Sequence, residues 1–250
     1  MLKAILLDLD NTMALFDEPG FYKRYFKRIA PYFSDLFPAG DFLKRMIRAT
    51  QDLKENDGRL SNQEHFMATL ARGAAEDQRG RIWRRFVKFY QEEYDRIERD
   101  VTAPPGLQET LDRLVARKLK LVLASNPIFP RSVHQKRAAW VGIDPAFPWD
   151  LVTHIANMRY VKPRSGYFRQ ISAMLGIPPE QCLMVGNDPI NDMAAGRMGM
   201  QTYLTTDGER VDYASLQMTV DREHPPAPIQ PDFSGKFRDI TRVIARLADA

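Results

Sequence analysis

Short apolar runs that stop abruptly at polar turns, with helical patterns between them, restrict this chain more than any other feature. Residues 2–7 (Leu-Lys-Ala-Ile-Leu-Leu) run into Asp8, and residues 119–124 (Leu-Lys-Leu-Val-Leu-Ala) end at Ser125-Asn126-Pro127. A third candidate surrounds residues 151–153, a fourth at 182–185 runs into Gly186-Asn187-Asp188, and a fifth covers 202–205. Runs of this length, bounded by turn residues, suit strands buried on both faces. Between them Leu107, Leu111, Leu114 and Val115 follow helical spacing after a Pro104-Pro105-Gly106 entry, and Ile171, Met174 and Leu175 repeat the pattern before Gly176. Strand and helix in alternation predict an α/β fold: a Rossmann-like, mostly parallel sheet with helices on both faces.

Residues 20–100 break the alternation and read as wholly helical. Phe21, Tyr25, Ile29 and Phe33 lie four apart, and Phe42, Met46, Ala49 and Leu53 mark a second face. Ser61-x-x-Glu64 is a capping box that opens a third helix. Ile82, Phe86, Phe89, Tyr90 and Ile97 mark a fourth. A structureless loop of that length is not expected inside a compact domain, so an inserted helical subdomain with its own aromatic core is predicted. Its basic clusters, such as Lys23-Arg24-Lys27-Arg28, read as a solvated face. Residues 206–231, with four prolines, are expected to form surface loop, and 238–247 a closing helix.

Composition excludes several classes. A chain of 250 residues buries an ample core without covalent staples. The single Cys182 rules out an intrachain disulfide and any multi-cysteine metal site, and points to a reducing, cytoplasmic setting. No apolar run approaches the roughly 20 residues of a membrane span, and Asp8 and Asp10 interrupt the first apolar stretch, so no signal peptide is expected. The net charge of +4 is mild and mixed along the chain; it suits small anions as well as nucleic acid, and nucleic acid is not the expected partner. No P-loop motif is present, and His65, His134, His154 and His224 lack zinc-like spacing.

The chemistry sits at the strand ends. Asp8-Leu9-Asp10-Asn11-Thr12 places two acids two residues apart where open α/β sheets bind ligands. Two such carboxylates repel and call for a cation or a raised pKa; a helix-capping turn would use the same residue types. The second strand delivers Ser125 and Asn126, also common turn chemistry. Lys162 stands in a turn shaped by Pro163, where a surface lysine is the plain alternative. Asp188 and Asp192, four apart after the fourth strand, suit either a metal or a helix cap. Together, a carboxylate pair, a hydroxyl, a lysine and a second carboxylate pair make a composition for metal-assisted phosphoryl transfer, with a hard cation such as Mg²⁺.

In that order these segments resemble the haloacid dehalogenase-like (HAD) superfamily: Asp8-x-Asp10-x-Thr12, Ser125 after an apolar strand, Lys162-Pro163, and Gly186-Asn187-Asp188-x-x-x-Asp192. The likeness covers residues 1–12 and about 104–250 as a catalytic core, and residues 13–103 resemble the C1-type helical cap of subfamily I. The resemblance implies Asp8 as nucleophile and Asp10 as general acid and base. It implies that Ser125 and Lys162 hold the phosphoryl group, with Thr12 and Asn126 in support. It implies Mg²⁺ held by Asp8, Asp188 and the carbonyl of Asp10, with Asp192 ligating or orienting. Asn187 is the alternative for the first acid slot of the last motif. The function implied is a phosphatase acting on a small phosphorylated metabolite. A phosphomutase or phosphotransferase is the alternative, followed by a carbon–halogen hydrolase or a non-catalytic binding protein. Met13 and Phe16, in the flap leading to the cap, either border the leaving group or pack in the core. Oligomeric state is not indicated.

Overall fold

The computed structural model describes residues 1–38, 40–98, 100–208 and 227–248. Among these, six strands form one parallel sheet: β1 (Ala4–Leu7), β2 (Lys120–Leu123), β3 (Leu151–Val152), β4 (Cys182–Gly186), β5 (Gln201–Thr205) and β6 (Phe233–Gly235), in the order β3-β2-β1-β4-β5-β6. The register pairs Leu7 with both Leu123 and Val185. The residues after β1, β2 and β4 therefore leave the sheet at one edge, and β1 lies where the strand order reverses, the place that positions ligands in such sheets.

Alternation along the strands sorts side chains to two faces. Ile5, Leu7, Leu121, Leu123, Leu183 and Val185 pack on one side with α5 (Leu107–Ala116), α6 (Arg131–Trp140) and α8 (Ile240–Ala248). Ala4, Leu6, Val122 and Met184 pack on the other with Tyr167, Phe168 and Ile171 of α7 (Ser165–Leu175). Helices thus cover both faces, as the alternation predicts.

The insertion between β1 and β2 is helical: α1 (Glu18–Ile29), α2 (Asp41–Asp52), α3 (Asn62–Leu70) and α4 (Glu76–Glu92). The capping box forms, with the Glu64 N–H donating to Ser61 Oγ at 3.2 Å and the Ser61 N–H donating to Glu64 Oε2 at 2.8 Å. The aromatic stripes are buried, and Phe33 stacks on Phe42 with centroids 4.0 Å apart. This core is not a separate one. Phe21, Tyr25 and Tyr94 belong to the same apolar cluster as the sheet face, meeting it at Phe129 and Trp140.

Other departures have physical causes. α6 carries Arg137 and His134 on its buried side, so its apolar periodicity is too weak to announce a helix. β6 is a three-residue edge strand with a single large apolar residue. The segment after β4 forms a 3-10 turn at Met193–Met198 rather than an α-helix, with Gly196 inside it and Gly199 closing it. Val115 and Met174, assigned to apolar faces, are exposed. Most of the expected 206–231 loop, with His224, lies outside the described residues. Among the described residues no helix is long and apolar enough to cross a membrane.

Candidate active site

Every strand-end residue singled out from sequence borders one cleft except Thr12, which lies directly behind Asp8. β1 is followed directly by Asp8, whose N–H donates to the Val185 carbonyl at 2.9 Å. Asn11 then adopts a left-handed φ of 55°, and its side chain accepts the Phe16 N–H at 3.1 Å, turning the chain into the insertion. Thr12 Oγ1 donates to Asp8 Oδ2 at 3.0 Å. The buried Lys162 ammonium donates to Asp8 Oδ1 at 2.9 Å and to Asp192 Oδ1 at 2.6 Å. Burial raises the pKa of Asp8, against the pull of Lys162 and with the push of Asp10. Asp192 is pushed up to about 8, again by burial against Lys162. Burial works against the Lys162 charge, but Asp192 and Asp8 outweigh it and hold the ammonium protonated. One ammonium serves two buried carboxylates, so the set favours uptake of a proton or a cation.

The neighbouring strand ends complete the frame. The Ser125 carbonyl accepts from Thr153 Oγ1 at 2.7 Å and Tyr167 Oη at 3.1 Å, which fixes the turn that presents its buried hydroxyl group. Asn126 Oδ1 accepts the Lys162 N–H at 3.3 Å. Asp188 accepts the N–H groups of Ile190 and Asn191, each at 2.8 Å, and the Asn191 side chain at 2.6 Å. Asp192 Oδ2 accepts the Asp188 N–H at 3.0 Å. Gly186 is required where Asp192 folds back, since a Cβ there would lie 2.1 Å from Asp192 Oδ2. Asn187 accepts from Thr12 at 3.4 Å, while its Nδ2 finds no partner among the described residues.

Sequence reasoning missed Arg137, Glu18 and Tyr22. Arg137 is 1% exposed and forms an ion pair with Asp10 Oδ2. Its Nε donates to Tyr94 Oη at 2.6 Å, and its guanidinium lies 4.4 Å and 4.9 Å from the ring centroids of Phe129 and Phe21. Asp10 Oδ1 has no partner among the described residues. Only an arginine in phase with Val133 and Ala138 hinted at this pair, on a helix that was itself not evident. Glu18 and Tyr22, one turn apart on α1, line the cleft. Burial, with the negative charge of Asp10, pushes Glu18 up to about 8. Met13 and Phe16 instead pack in the core.

Among the described residues five carboxyl groups line the cleft with Lys162 as the one cation in its lining, and Arg137 pairs with Asp10 from outside it. That excess, and an all-oxygen donor set, fit a hard divalent cation. Among the described residues no three His, Cys, Asp or Glu side chains are grouped to hold a metal, so a bound cation would draw on a backbone carbonyl and on oxygens from water or substrate as well.

Comparison with known proteins agrees with this frame. A family model described as haloacid dehalogenase-like hydrolase matches residues 2–199. The haloacid dehalogenase-like hydrolase domain-containing protein 3 of Xenopus laevis is 32% identical over 101 residues, which are 40% of this chain and 39% of that protein. Among solved structures, a predicted phosphoglycolate phosphatase from Haemophilus somnus 129pt superposes with a TM-score of 0.56 at 21% identity, covering 97% of this chain and 98% of that one. The L-2-haloacid dehalogenase of Xanthobacter autotrophicus superposes with a TM-score of 0.52 at 17% identity, covering 98% and 99%. At these identities the two structures speak for the fold alone, and they carry different chemistries on it. Nearly four fifths of the chain lies within the family match, and on that ground it belongs to the haloacid dehalogenase-like hydrolases.

Proposed function

We propose that this hydrolase is a Mg²⁺-dependent phosphatase that cleaves a small phosphorylated metabolite through an aspartyl-phosphate on Asp8. The observation that carries this reading is Asp10, a second acid in the cleft with one oxygen held by the buried Arg137. Halide departure needs no proton, whereas an alkoxide leaving group does. Residues 1–12 and 104–250 serve as the catalytic core in this reading, and 13–103 as a C1-type cap.

Asp8 attacks phosphorus, and the ester P–O bond breaks as the new P–O bond to Asp8 forms. Asp10 gives its proton to the departing oxygen. It then takes a proton from water, which attacks phosphorus and releases Asp8. Lys162 offsets the charge shared by Asp8 and the phosphoryl oxygens, and Ser125 hydrogen-bonds those oxygens. Thr12 holds Asp8, and Asn126 holds the Lys162 backbone. The carboxylates of Asp8 and Asp188 and the carbonyl of Asp10 would hold Mg²⁺, which supplies charge neutralisation for the phosphoryl oxygens. The bonds from Asp192 to Lys162 and to the Asp188 N–H support an orienting role for that acid. Asp188, the acid of the Asn187–Asp188 pair, is the better ligand for a hard cation.

Hydrolysis of 4-nitrophenyl phosphate tests the proposal. Activity is expected with Mg²⁺ and is expected to vanish after dialysis against chelator. Full turnover in excess EDTA would refute the metal site. Release of halide from haloacids without any phosphate-ester turnover would refute the phosphatase.

A further inference from the structure

Beside the cleft lies a second cavity, and Tyr22, Ile128 and Phe129 line both. Tyr25, Met46, Phe66, Trp83 and Phe86 form the walls of this cavity, which is open to solvent. Among the described residues no charged side chain lines it. Of the hydroxyl groups at its surface, Tyr25 and Tyr90 share a hydrogen bond of 2.8 Å and Thr50 donates to the Met46 carbonyl at 3.0 Å, which leaves the Tyr22 hydroxyl at the mouth. Rings, a thioether, the Tyr22 hydroxyl and the Trp83 indole N–H are what remain for a ligand. Close-packed interiors leave few such spaces, and one that shares a wall with a catalytic cleft is suited to a ligand.

Charge points the same way. Lys162 is the only cation lining either cavity among the described residues, and Asp8 and Asp192 already engage it. A second phosphate or a carboxylate on the substrate would find no free cationic side chain lining either cavity among the described residues. Sugar hydroxyl groups would meet mostly rings, with the Tyr22 hydroxyl and the Trp83 N–H as too few partners for a polyol.

We infer that, resting on the phosphatase reading, this cavity receives the alcohol part of the substrate and selects phosphate monoesters of uncharged arylalkyl alcohols. Sugar phosphates, nucleotides and phosphorylated acids are then poor substrates.

The test compares kcat/KM for 2-phenylethyl phosphate, ethyl phosphate, glycerol 1-phosphate and phosphoglycolate. All four are esters of primary alcohols, so the phenyl ring, the hydroxyl groups and the carboxylate are the main variables. The wild-type enzyme is expected to favour 2-phenylethyl phosphate over the other three by at least about thirtyfold. Thr50→Phe, which fills the cavity, is expected to cut that ratio below fivefold, with circular dichroism confirming that the variant is folded. Turnover of ethyl phosphate with no gain from the phenyl ring, or a preference for glycerol 1-phosphate or phosphoglycolate, overturns the cavity assignment and leaves the phosphatase standing. An unchanged ratio in folded Thr50→Phe overturns the assignment as well; if that variant does not fold, the wild-type panel decides. No turnover of any of the four esters overturns the phosphatase reading itself.

Discussion

Asp10 and Arg137 decide most at the scale of single residues. A buried guanidinium with one carboxylate partner fixes that carboxylate's direction, and removing the arginine leaves Asp10 without its anchor. Asp10→Asn is expected to slow esters of poor leaving groups most, because those need the proton. Arg137→Met is expected to show the same dependence on leaving-group pKa, and the double variant is expected to be no slower than Asp10→Asn. Unfolding measurements should show Arg137→Met less stable by roughly 3–5 kcal/mol. A loss that ignores the leaving group, or adds fully in the double variant, would separate Arg137 from Asp10. The strand-end residues were legible because each follows an apolar run that stops, which ties it to one sheet edge. Arg137, Glu18 and Tyr22 were not, because helical spacing tells which residues share a face but not what that face meets.

At the scale of elements, α6 joins the two halves of the site. It carries Arg137 inward, and its Lys136 pairs with Asp95 of the insertion. The same helix buries His134 completely, with no hydrogen-bond partner for either ring nitrogen among the described residues. Burial and the charge of Arg137 hold its pKa well below 6.5. The unfolded chain therefore takes up a proton below about pH 6.5 that the folded chain refuses, and stability falls with acidification by up to about 1.4 kcal/mol per pH unit. Asp192 and Glu18, both raised to about 8, act with the opposite sign and favour the folded state as pH drops from 8. The difference between wild type and His134→Phe isolates the histidine. Denaturation from pH 7.5 to 5 should show the variant losing less stability than wild type, and parallel curves would contradict this. Strands β1, β2 and β4 were legible because both their faces are apolar. Polar buried residues hid α6, and β6 is too short to carry a pattern.

At the scale of the molecule, core and insertion close on one another through apolar and polar contacts alike. Arg164 donates to the Lys54 carbonyl at 2.7 Å, and the Asn62 and Gln63 N–H groups donate to the Met158 and Ile155 carbonyls, each at 2.8 Å. The slot of the insertion was evident from the broken alternation of strand and helix. Its continuity with the sheet core was not, since an aromatic stripe looks the same whether it packs on its own helices or on a neighbour. The overall charge of +4 is likewise silent about a cleft whose lining is acidic. The central claim is that water attacks phosphorus held on Asp8. Single-turnover hydrolysis of a phosphate monoester in ¹⁸O-labelled water, with enzyme in excess and the released phosphate and the peptide containing Asp8 both weighed by mass spectrometry, tests it most directly. One ¹⁸O in each phosphate and none in Asp8 is the predicted result; label in the Asp8 carboxyl group with unlabelled phosphate, the outcome of attack at carbon, would contradict it.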